Sequence, residues 1–428
     1  MKNNTTKYLE NYAEKEIVFS EKIKEFYENI IVIPSYNEYF EIKDLLEYNL
    51  TLMGEKNSFL VILVINAKEN SSEDIKSNND NLISFLEEKS DSNLKSKQGE
   101  LIRFINYDIL VINRSFENNF FTEKQGVGLA RKIGCDIALK LFEENKINSP
   151  WIRCTDGDVI IPDNYFEINP NIKKYSCIVY DFYHDQITDD SLGKALILYE
   201  IYLRYYFFGL KYANSQYSFY TIGSCMAIST DAYTQVRGFS DSKEAGEDFY
   251  MMNKLSKIKP IFQTKDSILK IKCRKSDRVP FGTGASMNKI SNNFSKEIDY
   301  NIDDPRCFDE LKKVYDFIEK IDSLDFIDKF SEIKEEIFFI ALKSLSFEEN
   351  ITKLIKISSD IKTFKKHFHN WFDSFKILKF IHFITNNYYP LLNWKIALSN
   401  ASFIDINLDT DEKELRDRFY EKNLTFLE

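Results

Sequence analysis

The stretch Trp151-Ile-Arg-Cys-Thr-Asp-Gly-Asp-Val-Ile-Ile161 sets two carboxylates, Asp156 and Asp158, directly after a short apolar run. Strand side chains alternate faces. An acid-Gly-acid step at a strand's carboxyl end can therefore aim both acids at one oxygen-loving cation, if the glycine lets the backbone turn. A divalent ion held there can carry a diphosphate. Read alone, the same residues make an ordinary solvated Asp-Gly turn, and their neighbours along the chain decide between the two.

Upstream, strand and helix patterns alternate. Asn29 to Ile33 is a short apolar run predicted to stop as a strand at Pro34, and Glu38 to Leu50 has apolar residues at helical spacing with Asn37 as its cap. Phe59 to Ile65 is a continuous apolar run of strand length, as expected for burial on both faces. Residues 67–100 are rich in Asn, Ser, Lys and Glu around one weak helix and read as a surface insertion. Asp108 to Ile112 and Trp151 to Cys154 read as strands, with a strong helix from Gln125 to Glu143 between them. This order predicts an α/β fold, a mostly parallel sheet flanked by helices. Ligands of such sheets sit beyond the strand carboxyl ends. Pro34 to Glu38, Asn66 and Asp156 to Asp158 all fall there.

Downstream, Ser176 to Asp181 and Thr221 to Ser229 read as strands, Leu192 to Tyr212 as a long aromatic helix, Asp231 to Val236 as a helical turn broken by Gly238-Phe239, and Glu247 to Lys257 as a helix. From about Asp303 onward strand signals nearly vanish, while Phe326 to Leu345, Ile351 to Ile384 and Lys413 to Leu424 mix apolar and charged residues at helical spacing. The expected organisation is an N-terminal helical extension over 1–28, an α/β domain over 29–290 and a helical region over 303–428.

Length and composition fit a large enzyme. The 428 residues are 43% hydrophobic with few Gly and Pro, which argues against disorder. A net charge of -10 disfavours a general nucleic-acid binder, since phosphate neutralisation needs a concentrated basic face. The six cysteines are scattered without a Cys-x-x-Cys, so buried free thiols, a reducing compartment and no zinc are expected. The N-terminus lacks the apolar core of a signal peptide, and no stretch reaches the roughly 18 apolar residues of a membrane span. A cytoplasmic location is expected.

Several other segments can carry chemistry. Ile33-Pro-Ser-Tyr-Asn-Glu38 exposes polar groups after a strand, where a base or ribose can lie. In Gly126-Val-Gly-Leu-Ala-Arg-Lys-Ile-Gly134, the glycines permit tight packing, and Arg131 and Lys132 near a helix start can meet an anion. Gly246-Glu-Asp248 opens a helix. Acids there ordinarily cap it, but a carboxylate beside a bound hydroxyl can also act as general base. Ser276 to Gly284 is a basic, glycine-bearing loop whose Arg278 can offset charge on a leaving group. The aromatic run Tyr199 to Phe208 reads as packing surface, sugar-stacking platform or shallow membrane contact.

Taken in order, Ile-Pro-Ser-Tyr-Asn-Glu (33–38), Gly-Leu-Ala-Arg-Lys-Ile-Gly (128–134), Thr-Asp-Gly-Asp (155–158), Gly-Ser-Cys-Met-Ala-Ile-Ser (223–229) and Arg-Gly-Phe-Ser (237–240) with Gly-Glu-Asp (246–248) make the chain resemble family 2 glycosyltransferases of the GT-A fold over residues 29–285. The resemblance implies a Rossmann-like nucleotide-diphospho-sugar transferase domain of the inverting type. It places Pro34, Tyr36 and Glu38 at the nucleotide pocket, with Asn66, Arg131 and Arg278 also on the donor side. Asp156 would contact ribose or metal, and Asp158 would bind Mg2+ or Mn2+. Asp248 would be the catalytic base, with Glu247 orienting acceptor or base. The implied partners are a nucleotide-sugar donor and a glycan or lipid-linked acceptor in surface glycan or glycolipid assembly, with peripheral membrane contact possible and no nucleic acid.

Two departures stand out. Many relatives carry an acidic pair after the second strand, where this chain has Val64-Ile-Asn-Ala67, and some supply a late histidine to the metal, which residues 265–290 lack. Asn66 still hydrogen-bonds but adds no charge. His184, His367, His369 and His382 read as surface or packing residues. A retaining transferase, a nucleotidyltransferase and an inactive scaffold on the same fold stay open.

Overall fold

The adjacent strands β1 (Asn29–Ser35) and β2 (Phe59–Asn66) are buried almost throughout, as continuous apolar runs between covering helices must be. The computed structural model describes residues 4–90, 94, 97–185, 191–240, 246–272, 287, 289–292, 299–324 and 333–427. Contacts divide the chain into two units, one of Met1–Gln186, Thr221–Ala285 and Leu427–Glu428, the other of Ile187–Tyr220 and Ser286–Phe426.

In the first unit, after helix α1 (Asn4–Asn11), β1 leads into helix α2 (Tyr39–Asp44), a π-helical stretch (Leu45–Leu50) and α3 (Thr51–Gly54). Strand β2 is followed by α4 (Glu73–Ser90), the hairpin β3 (Gly99–Phe104) and β4 (Tyr107–Arg114), and the helix α5 (Val127–Glu143). Then come β5 (Trp151–Cys154), β6 (Val159–Ile160) and β7 (Cys177–Asp185); α6 (Ser191–Tyr212) belongs to the other unit. Strand β8 (Met226–Ser229), α7 (Thr230–Gln235), α8 (Glu247–Ile258) and β9 (Ile261–Lys272) complete the first unit.

The described strands of this unit form a nine-stranded sheet in the order β3-β4-β2-β1-β5-β8-β7-β9-β6. Its centre, β4-β2-β1-β5, is parallel throughout, while β3, β8 and β6 pair antiparallel with their neighbours. The carboxyl ends of β1, β2 and β5 therefore share one edge, the edge where Tyr36, Asn66 and Asp156 leave the sheet.

Strand β1 runs on through Pro34, which pairs with Val64. Its pairing with β5 covers only Ile31 and Val32, so the proline has a sheet neighbour on one side alone and its missing N–H is tolerated. The following helix is capped from afar. Asn37 takes a positive φ of 57°, and its N–H and that of Tyr39 are accepted by the side chains of Asn79 (3.1 Å) and Asn78 (3.0 Å) on α4. The described part of residues 67–100 is thus no surface insertion. Helix α4 buries Leu82, Ile83 and Leu86, and its asparagines serve the interior. Strands β3 and β9 also lie outside the sequence expectation. In β9, exposed Lys265 and Asp266 interrupt the alternation, and the register against β7 shifts there.

Helix α5 lies close on the sheet because Gly134 has no side chain. A Cβ there would come 2.3 Å from Val32 Cγ1. The other face of α5 holds the N-terminal segment, where Asp136 accepts from the hydroxyls of Tyr8 (2.7 Å) and Tyr233 (2.8 Å) and from Lys132 Nζ (2.9 Å), which also donates to the Tyr12 carbonyl (2.6 Å).

In the second unit, the aromatic density of α6 is packing. Phe207 stacks on Tyr220 and Phe208 on Phe419, and Gly209 lets the Phe308 ring approach within 2.5 Å of where a Cβ would stand. The segment from 351 to 384 breaks into helices where Asp360 and Asp373 accept the N–H groups of Thr363 and Lys376 as N-caps. No described helix is long and apolar enough to cross a membrane.

Overpacking at the α5–sheet contact gives a direct test. Gly134→Ala is expected to lower unfolding stability by about 1–3 kcal/mol in urea titration, and an unchanged midpoint would contradict the close approach.

Candidate functional site

Strand β5 delivers the acid-Gly-acid step to the carboxyl edge, and Thr155 continues the ladder by donating its N–H to the Val32 carbonyl (3.1 Å). Gly157 then passes tightly over α2. A Cβ on it would meet Ile42 Cδ1 at 2.8 Å, so any larger residue would have to displace that side chain. Asp156 follows β5 immediately and is 30% exposed at its side chain. Asp158 leads into β6, and its carbonyl accepts the Lys272 N–H (2.8 Å).

Four chain segments close around one guanidinium. Arg131 of α5 is 3% exposed, and its Nη2 donates to Asp156 Oδ1 (2.6 Å) while its Nη1 donates to Glu247 Oε1 at the start of α8. Among the described residues its Nε finds no hydrogen-bond partner. Gly246, at φ 73°, turns the chain into α8 so that Glu247 points inward. Asp248, next in sequence, accepts the Gly223 N–H at Oδ2 (3.0 Å) and its neighbour Phe249 N–H at Oδ1 (2.7 Å). Gly223 itself presses on Arg131, since a Cβ there would fall 2.7 to 2.8 Å from the guanidinium.

The charges are unbalanced. Burial alone would lower the pKa of Arg131, but Asp156, Glu247 and Asp248 together hold it well above its usual value, so it stays cationic. Burial pushes the Glu247 carboxyl up to about 7 against the pull of Arg131, with Asp248 and Asp156 adding to the rise. Asp248 is raised as well, first by burial, with Arg131 and its two backbone donors opposing. Three carboxylates around one cation in a poorly hydrated place leave negative charge to be met by protons or by a ligand.

Of the donor-side residues expected from sequence, Pro34, Tyr36, Glu38 and Asn66 sit along the same edge. Pro34 lies in β1. Tyr36 donates its N–H to Glu38 Oε2 (3.4 Å), its hydroxyl meets Ser71 Oγ (3.2 Å), and Glu38 is buried. Asn66 is buried and uses its amide nitrogen within the chain, donating to the carbonyls of Ser35 (2.9 Å) and Val64 (3.3 Å) and so tying β1 to β2. That role explains a neutral residue here, because a carboxylate has no hydrogen to offer two carbonyl oxygens. The expectation that Arg131 and Lys132 meet an anionic ligand changes character. The anions they meet are the chain's own, Asp156 and Glu247 for Arg131, and Asp136 with Glu14 for Lys132, which faces the N-terminal segment. Arg278 and its loop lie outside the described residues.

Sequence reasoning missed Gly223 and Asn79. Gly223 sits within a quoted motif but signals only a turn. Asn79, whose Nδ2 donates to the Asn66 carbonyl (2.8 Å), lies in a polar helix that offers no sign of being internal.

Among the described residues no three His, Cys, Asp or Glu side chains gather as a metal cage. Two carboxylates flanking a glycine, one of them partly open, nonetheless fit a hard cation whose other ligands are phosphate oxygens and water, the usual manner of magnesium.

No family model matches the chain and no curated protein matches it. Among solved structures it is similar to S. aureus TarS 1-349 in complex with UDP-GlcNAc, at 12% identity and a TM-score of 0.35 over 79% of this chain and 89% of that one. The same protein in complex with UDP matches at 13% identity and a TM-score of 0.33 with the same coverage, and S. aureus TarS at 11% and 0.32 over 83% of this chain and 55% of that one. The site is therefore read from its own geometry.

Two outcomes follow from that geometry. Asn66→Asp is expected to cost about 1–3 kcal/mol of stability in urea titration, because it removes two buried hydrogen bonds and sets a carboxylate against two carbonyl oxygens. For Glu247, a folded-state pKa near 7 against an ordinary 4.5 means the folded form holds the proton more tightly, so the stability it contributes is full below about 4.5 and is lost as pH rises through 7. Wild-type stability relative to Glu247→Gln should fall with pH across that window and level off above it; a pH-independent difference would refute the assignment.

Proposed function

We propose that the chain is a glycosyltransferase that moves a sugar from a nucleotide-sugar donor to a hydroxyl acceptor, with Mg2+ or Mn2+ and with inversion at the anomeric carbon. One observation carries this reading. The acid-Gly-acid step at the carboxyl edge of a parallel sheet and the Glu247-Asp248 pair, 89 residues or more away in sequence, are drawn together by one buried arginine. The ordered sequence motifs support it further.

In this reading the donor's nucleotide lies along Pro34, Tyr36, Glu38 and Asn66, with its diphosphate toward Asp156 and Asp158. A divalent cation held by those two carboxylates would offset charge on the departing diphosphate. Asp248, fixed by two backbone N–H groups, takes the proton of the acceptor hydroxyl as that oxygen bonds to the anomeric carbon and the bond to the diphosphate breaks. A single displacement of this kind inverts the centre. Burial raises the basicity of Asp248, which suits proton capture. Glu247 keeps its neighbour in place and lends negative charge to the acceptor side. The acceptor class is a glycan or a lipid-linked acceptor, in surface glycan or glycolipid assembly, with the enzyme in the cytoplasm.

A panel of UDP-, GDP- and dTDP-sugars with manganese tests the reading through release of nucleoside diphosphate. Wild type is expected to consume at least one donor, and Asp158→Asn and Asp248→Asn should each cut turnover by about 100-fold or more while unfolding as wild type does. Full turnover in both variants, or no donor bound or consumed, would remove the proposal; NMR of the product's anomeric configuration checks inversion.

A further inference from the structure

The geometry points to Arg131 as a positioning residue that sets the distance between the donor-side acid Asp156 and the base-bearing Glu247-Asp248 turn, without touching the donor itself. The inference rests on the transferase reading for its catalytic consequence, but its structural content stands apart from it.

Each terminal nitrogen of Arg131 donates to an acid of the chain, one to Asp156 (2.6 Å) and one to Glu247. The side chain is 3% exposed, so little of it is left to face a ligand. A guanidinium is a rigid planar fork, and two acids bonded to its two ends are held at a fixed separation. The fork is clamped in turn. Gly223 lies against its plane where no Cβ would fit, and the N–H of the same glycine holds Asp248 (3.0 Å). Arg131, Glu247, Asp248 and Gly223 thus form a closed loop of contacts, to which Asp156 is joined through the fork. A displacement at Asp156 passes through the fork to the turn that carries Asp248. Helix α5 supplies the fork and is itself fixed on the sheet by the Gly134–Val32 contact, so the loop has a rigid base.

Arg131→Lys separates this role from its rivals, because one ammonium keeps the charge but cannot hold both acids as the fork does. With a donor that wild type consumes, kcat is expected to fall by about 100-fold, the scale of a small misplacement of reacting groups, while KM for that donor stays unchanged. A raised KM at wild-type kcat would make Arg131 a donor contact and overturn the inference. The second arm needs no activity. Asp156→Asn and Glu247→Gln are made singly and together, once in the wild-type chain and once in the Arg131→Lys variant, and urea midpoints are read. Partners of one cation couple, so their effects should be non-additive in the wild-type background and near-additive in the Arg131→Lys background. Additive effects in the wild-type background would overturn the inference. Non-additive effects in a protein that consumes no donor would leave the positioning role standing and sink the transferase reading instead.

Discussion

Taking a guanidinium out of water carries a cost that close, hydrogen-bonded pairing with carboxylates offsets. Arg131 meets that condition with Asp156 and Glu247 as direct partners and Asp248 within its field. The site depends on this pairing. Without the cation, three acids from the end of β5 and the start of α8 would repel one another in a place with little water to screen them. With it, they are gathered and still carry excess negative charge, a setting in which protonation and ligand binding are coupled.

The fold exists around that pairing in a hierarchical way. Parallel pairing of β4, β2, β1 and β5 fixes which edge the functional loops share. Gly134 brings α5 down onto β1, and the Asp136 cluster ties the outer face of α5 to the N-terminal segment through Tyr8 and to α7 through Tyr233. Successive residues on α5 thus do opposite jobs. Arg131 faces the site, while Lys132 faces the N-terminal segment and its Asp136 partner, so one helix transmits the rigidity of the core to the acids at the edge.

Much of this was legible in the sequence, and the remainder had physical reasons to stay hidden. Short, β-branched apolar runs such as Phe59 to Ile65 point to buried strands, and their alternation with helices points to the α/β architecture. The acid positions were legible because Asp-Gly-Asp and Gly-Glu-Asp place charge beside glycine, where the backbone bends. Their joining through Arg131 was not, since a lone arginine on a helix carries no mark of its partner over 100 residues away in Glu247. The asparagines of helix α4 look like surface residues in the sequence, yet Asn79 is fully buried and bonds both the Asn37 turn and the end of β2. The aromatic run of α6 was open to three readings, and its ring stacking against Tyr220 and Phe419 leaves packing as the one with a contact behind it. The role of Asn66 shows the reverse case, a departure from a family pattern that local hydrogen bonding explains.

The measurement that bears most directly on the central claim is a crystal structure of the chain soaked with manganese and a nucleoside diphosphate. The account predicts the diphosphate at the carboxyl edge beside Asp156 and Asp158, with Asp248 facing the same space and the Arg131 bonds to Asp156 and Glu247 intact. A nucleotide bound elsewhere, or one seated there only after Arg131 has left both acids, would contradict it.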